Sequence, residues 1–70
     1  MRATILPEKI GENLKRLIKE SKYRTQGSFA LAMSKDIRTV RRWVSGRIDS
    51  LDMVFKIAKL LDVDAMALLF

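Results

Sequence analysis

Apolar residues along this chain recur at helical spacing and nowhere alternate over the length a strand needs. No Asn-Gly or Asp-Gly pair marks a hairpin. The period predicts a first helix from about Pro7 to Lys22, with proline in its opening turn, Ile10, Leu14, Leu17 and Ile18 on one side, and Lys15, Arg16, Lys19 and Lys22 outside. Thr25 is suited to cap a second helix, whose run of Phe29, Ala30, Leu31, Ala32 and Met33 is expected to be largely buried. Ser34 and Lys35 interrupt that run. Asp36 then caps a third helix reaching about Ser45, and Gly46 can take the left-handed stop. Ser50 caps a fourth, carrying Leu51, Val54, Phe55, Ile57, Ala58, Leu60 and Leu61, and Asp62 or Asp64 caps a fifth, "AMALLF". Five short helices joined by turns of two to five residues are expected to form a compact all-α domain.

With 70 residues there is room for one small domain, which buries only roughly 60% of its unfolded surface. Cysteine and histidine are absent, so the sequence offers no disulfide, no thiolate chemistry and none of the usual zinc ligands; neither metal nor cofactor is expected. No apolar run approaches the roughly 18 residues that span a bilayer, and "MRATILPEK" is too short and too soon charged for a signal peptide. The reading is a soluble, cytoplasmic chain without a membrane partner.

Charge then narrows the partner. Fourteen basic residues against eight acidic ones give +6 at neutral pH and a pI near 10.2, a balance that points to a polyanion. Residues 1–34 carry a net of +4, residues 35–48 another +4, and residues 49–70 a net of −2. The densest stretch is "DIRTVRRWVSG". On a wheel of about 100° per residue, Arg38, Arg41, Arg42 and Ser45 fall between roughly 40° and 140°, opposite Ile37, Val40, Trp43 and Val44. Three guanidinium groups thus share a face without a carboxylate, whereas a merely solvated face usually mixes signs. The helix in front of it, followed by a tight turn, has the spacing of a helix-turn-helix, in which the second helix enters the major groove. Arginine there can read guanine O6 and N7 bidentately.

The stretch "TQGSFALAMSKDIRTVRRWVSG" resembles the helix-turn-helix core of the Cro/C1-type (Xre-like) DNA-binding domains of bacteria and their phages. "IGENLKRLIKES" and "SLDMVFKIAKLLDV" resemble that family's first and fourth helices, so the likeness runs from about Ile10 to the end. It implies a five-helix, lambda-repressor-like fold, with residues 1–9 as an N-terminal arm and helix start and residues 10–70 as the DNA-binding domain. It also implies a transcriptional regulator, expected to repress by occupying an operator, either as a short regulator or as the N-terminal piece of a longer one.

By the same resemblance, Ile37, Arg38 and Arg42 match the positions that reach base edges. Gln26 matches the position that touches the phosphate backbone and braces the recognition helix, and Thr25, Lys35, Thr39, Arg41 and Arg47 are the further expected backbone contacts. Val40 and Trp43 match core positions. The implied partner is double-stranded DNA, bound as a homodimer on a near-palindromic site, with Met66, Leu69 and Phe70 at an apolar chain end as the hint of an interface. Five features depart from the family, one of them Ile37, an apolar side chain at a base-reading position that either meets a thymine methyl or tucks back against the body. Ser34 stands where glycine is usual, Lys35 where an apolar residue is usual, and "SKYRTQ" is one residue longer than the common connection. Ile18 and Val44 replace an arginine-glutamate pair, so these two are expected to touch, and Val44→Glu alone is expected to destabilise.

Other classes fit less well. An enzyme would need groups that the chain lacks: Asp49, Asp52, Asp62 and Asp64 sit near helix starts as caps, Ser34, Ser45 and Ser50 have no evident activating base, and Gly11, Gly27 and Gly46 stand singly. RNA binding would call for exposed aromatics, and Phe29, Phe55 and Trp43 all fall at core-like positions. The serious rival is a protein-interaction module of the same fold without specific DNA binding.

Overall fold

The computed structural model describes residues 7–48 and 50–70. The expected arm before Pro7 and the expected cap residue Asp49 lie outside the described residues. Five helices follow one another: α1 Pro7–Glu20, α2 Gln26–Ala32, α3 Ile37–Val44, α4 Leu51–Leu61 and α5 Ala65–Leu69. No strand occurs among the described residues. The Cα radius of gyration is 11.2 Å, the value of a compact chain of this length. None of these helices is long and apolar enough to cross a membrane.

Helices α2 to α5 each start where the sequence supplies an acceptor for the orphan N–H groups of the first turn. Thr25 Oγ1 accepts from the Ser28 amide at 3.1 Å, Asp36 Oδ1 from Arg38 at 2.8 Å, Ser50 Oγ from Met53 at 3.3 Å and Asp64 Oδ1 from Met66 at 2.9 Å. Of the two aspartates that could open α5, Asp64 does so. Asp62 instead ends α4 in the left-handed region, at φ 57°. The first helix stops at Glu20, two residues short of the expected Lys22, because the Ser21 hydroxyl donates to the Ile18 carbonyl and Arg24 turns left-handed at φ 64°.

The turn between α2 and α3 is closed by two bonds. The Ser34 amide donates to the Leu31 carbonyl at 3.1 Å and the Lys35 amide to the Ala30 carbonyl at 2.9 Å, with Ser34 left-handed at φ 56°. This pattern ordinarily has glycine at the left-handed residue, and α3 closes in the same way with Gly46 at φ 98°. Serine therefore adopts a glycine conformation at a cost of about 1 kcal/mol. Ser34→Gly is expected to raise the melting temperature by roughly 4–8 °C if that cost is relieved in full, less the part offset by the freer unfolded chain; a thermal melt followed by circular dichroism checks it.

All five helices contribute to one core: Leu14 and Ile18 from α1, Phe29 and Ala30 from α2, Val40 and Trp43 from α3, Val54, Ile57, Ala58 and Leu61 from α4, and Leu68 from α5. α2 packs on α3, α1 on both α3 and α5, and α4 on α5. Trp43 is fully enclosed, as its place beside Val40 on the wheel predicts, and its indole N–H has no partner among the described residues. Asn13, the buried polar residue of this core, donates from Nδ2 to the Leu68 carbonyl at 2.9 Å and ties α1 to the last turn of α5.

Two burial expectations are corrected. In α2 only Phe29 and Ala30 are buried, while Leu31 is 82% exposed, because a seven-residue helix on one side of a small core can hide only one stripe. Phe55, expected in the core, lies about half exposed on α4 beside Leu51, one turn away, since α4 turns its Val54–Ile57–Ala58–Leu61 stripe inward instead. Val44 packs against the core cluster that contains Ile18, and its backbone lies against Gly11. Val44→Glu is expected to lower the melting temperature, because Val44 is half-buried against the core and a carboxylate there would lose part of its hydration.

Candidate nucleic-acid interface

Because Val40 and Trp43 are anchored at zero exposure, the opposite side of α3 must face outward. Arg38, Arg41 and Arg42 are all exposed there, with Ser45 at the end of the same face. Among the described residues the ion pair is Arg16 with Glu20, 3.7 Å apart within α1, so none of the three guanidinium groups meets a carboxylate. The nearest acidic residue in sequence, Asp36, spends one oxygen on the Arg38 amide.

Helix electrostatics separates the three. Arg41 and Arg42 lie in the last turn of α3, where a cation interacts favourably with the C-terminal end of the helix dipole. Arg38 is the second residue of the helix, at the positive end, where a cation is disfavoured by roughly 0.3–1 kcal/mol. The fold gains nothing from arginine there.

The other expected contact residues fall into two groups. Lys35 and Arg47 are exposed at the two ends of α3, each with its amide fixed by a bond to a helix carbonyl, at 2.9 and 3.0 Å. Thr39 is half-buried, less open than the arginines beside it. Thr25, Gln26, Ile37 and Arg41 come together around one hollow of about 420 Å³. Ile37 is 37% exposed and leans back, its Cδ1 3.6 Å from where a Cβ on Gly27 would stand. Arg38, Arg42, Lys35 and Arg47 do not line the hollow.

No family model, curated protein or solved structure matches this chain. The interface is therefore argued from its own residues.

Three cations missing from the sequence-based set also line the hollow: Lys15 and Lys19, one turn apart on α1, and Arg24 in the connection. Their outward spacing on α1 was visible; their convergence with Arg41 was not, since it depends on how α1 crosses α3. The resulting surface carries positive charge on the outer side of α3 and again between α1 and α2, where it can hold phosphate oxygens and present guanidinium forks.

Proposed function

We propose that this chain is a sequence-specific double-stranded DNA-binding domain in which α2 and α3 act as a helix-turn-helix of the Cro/C1 type within a lambda-repressor-like fold. The observation that carries the reading is the outer face of α3: three exposed arginines with no carboxylate partner among the described residues, backed by buried Val40 and Trp43. Arg38 weighs most, because helix electrostatics disfavours it where it stands.

In this reading Arg38 and Arg42 read base edges, with Ile37 offering its exposed part to a thymine methyl. Thr25, Gln26, Lys35, Thr39, Arg41 and Arg47 hold the phosphate backbone and set the register. The protein acts by occupancy in the cytoplasm as a transcriptional regulator, with no chemistry of its own and no cofactor, and binds as a homodimer on a near-palindromic site. Exposed Met66, in the first turn of α5, and Phe70, just after it, are the surface for that pairing.

In vitro selection from a random duplex library tests this, run beside Arg38→Ala. The expected result is a G-containing inverted repeat for the wild type and a loss of about 1–3 kcal/mol with relaxed preference at one position for the variant. Retention without an enriched motif would leave only charge-driven binding. A second reading has its own observation: Leu31, Leu51 and Phe55 are exposed apolar side chains, which suits a protein-interaction module. No retention of DNA at all would favour it.

A further inference from the structure

We propose that the hollow between α1, the connection to α2 and the start of α3 binds a small organic phosphate, a phosphate monoester joined to an apolar body. Its volume of about 420 Å³ lies within the range of small-molecule sites, roughly 300–1,000 Å³. Among the described residues four cations line it, Lys15, Lys19, Arg24 and Arg41, and no carboxylate does. That balance suits a dianionic head. Thr25 and Gln26 add polar groups at the same wall, Thr25 exposed and Gln26 half-buried.

The apolar side of the hollow sets the class more narrowly. Ile18 and Ile37 lie beside the cations; Ile18 is buried at 1% exposure, so the open apolar surface there belongs to Ile37, which is 37% exposed. A bare phosphate would leave that apolar surface in water, whereas an aromatic or branched body would cover it. Both halves of such a molecule favour binding, the anionic head most and the apolar body in addition. Thr25, Gln26, Ile37 and Arg41 are also residues of the proposed DNA face, so an occupied hollow would compete with DNA for them. That consequence rests on the DNA reading; the binding does not.

The probe is phenyl phosphate, titrated into ¹⁵N-labelled protein without DNA at near-physiological salt. Saturable shifts are expected at the amides of Thr25, Gln26, Gly27 and Ile37, with inorganic phosphate about tenfold weaker or worse because it covers no apolar surface. Phenol should give no saturable response. Two variants examine the site from different sides. Lys19→Glu, exposed on α1, should weaken phenyl phosphate about tenfold by reversing a charge at the wall. Gly27→Leu should fill the hollow while leaving every cation in place, and its helix content is checked by circular dichroism. Equal affinity for phenyl phosphate and inorganic phosphate would overturn the proposal, as would shifts spread equally over the Arg38 and Arg42 amides. Unchanged binding by a folded Gly27→Leu would do the same; if that variant does not fold, unchanged binding by Lys19→Glu decides. With no DNA in the sample, failure here is separate from failure of the library selection.

Discussion

Gly11→Ala is expected to lower the melting temperature by about 12 °C or more, the equivalent of roughly 3 kcal/mol in a domain of this size. On a free helix the same change would be favourable, since alanine exceeds glycine in helix propensity by about 1 kcal/mol. Here a Cβ would fall on the Val44 carbonyl oxygen, with the Val44 carbonyl carbon and the Gly46 nitrogen each 2.9 Å away. Those are backbone atoms and cannot swing aside. The approach is mutual, because a Cβ on Gly46 would meet the Pro7 carbonyl oxygen at 2.9 Å, and Gly46 already sits at φ 98°. The first turns of α1 are therefore seated on the closing turn of α3, and a single methyl must push the two apart. Gly27→Ala is the control. Its Cβ would meet only Ile37 Cδ1, at an ordinary 3.6 Å, so the propensity gain should survive and the melting temperature should hold or rise by a few degrees. Thermal melts of the two variants side by side measure the difference; equal, small effects would mean that α1 does not press on α3.

Most of what places the arginine face was readable from the chain, because it depends on local rules. Helix caps need particular side chains at particular offsets, so Thr25, Asp36 and Ser50 could be named from sequence and Asp64 as one of two candidates, and all four accept capping amide bonds. The division of α3 into a buried and an open side follows from its period, and Val40 and Trp43 are fully buried where the wheel put them. What escaped depends on distance along the chain. Gly11 had no visible role, because only the crossing of α1 and α3 gives it one. Ser34 concealed the left-handed turn behind a residue that is not glycine. Leu31 and Phe55 were placed inside because a wheel ranks faces without saying how much partner surface exists to cover them. The hollow joins Lys15, Arg24 and Arg41 from three segments, and no spacing rule links those positions.

Asn13→Asp is the second large effect expected, about 3 kcal/mol or more of destabilisation at neutral pH. The substitution keeps the shape and exchanges a donor for a negative charge. Asn13 is only 3% exposed, and its Nδ2 satisfies the Leu68 carbonyl, one of the carbonyls at the end of α5 that no helix amide can reach. A carboxylate there would face that carbonyl oxygen lone pair to lone pair, in a core otherwise built of apolar side chains. Burial and the carbonyl dipole both raise the pKa of such a carboxyl above its unfolded value. The sign of the pH effect follows: the protonated group can donate to Leu68, so the variant recovers stability as pH falls from the raised folded-state value toward the ordinary aspartate value, near 4, below which recovery is complete, and loses it as pH rises through the raised folded-state value. Asn13→Leu separates the two causes. It removes the donor without adding charge, and should cost about 1–3 kcal/mol for the unsatisfied carbonyl with no comparable pH dependence. Urea melts of both variants at pH 4 and pH 7 make the comparison. A deficit in Asn13→Asp that is the same at both pH values would mean that α5 is held by its apolar contacts through Leu68 and not by this bond.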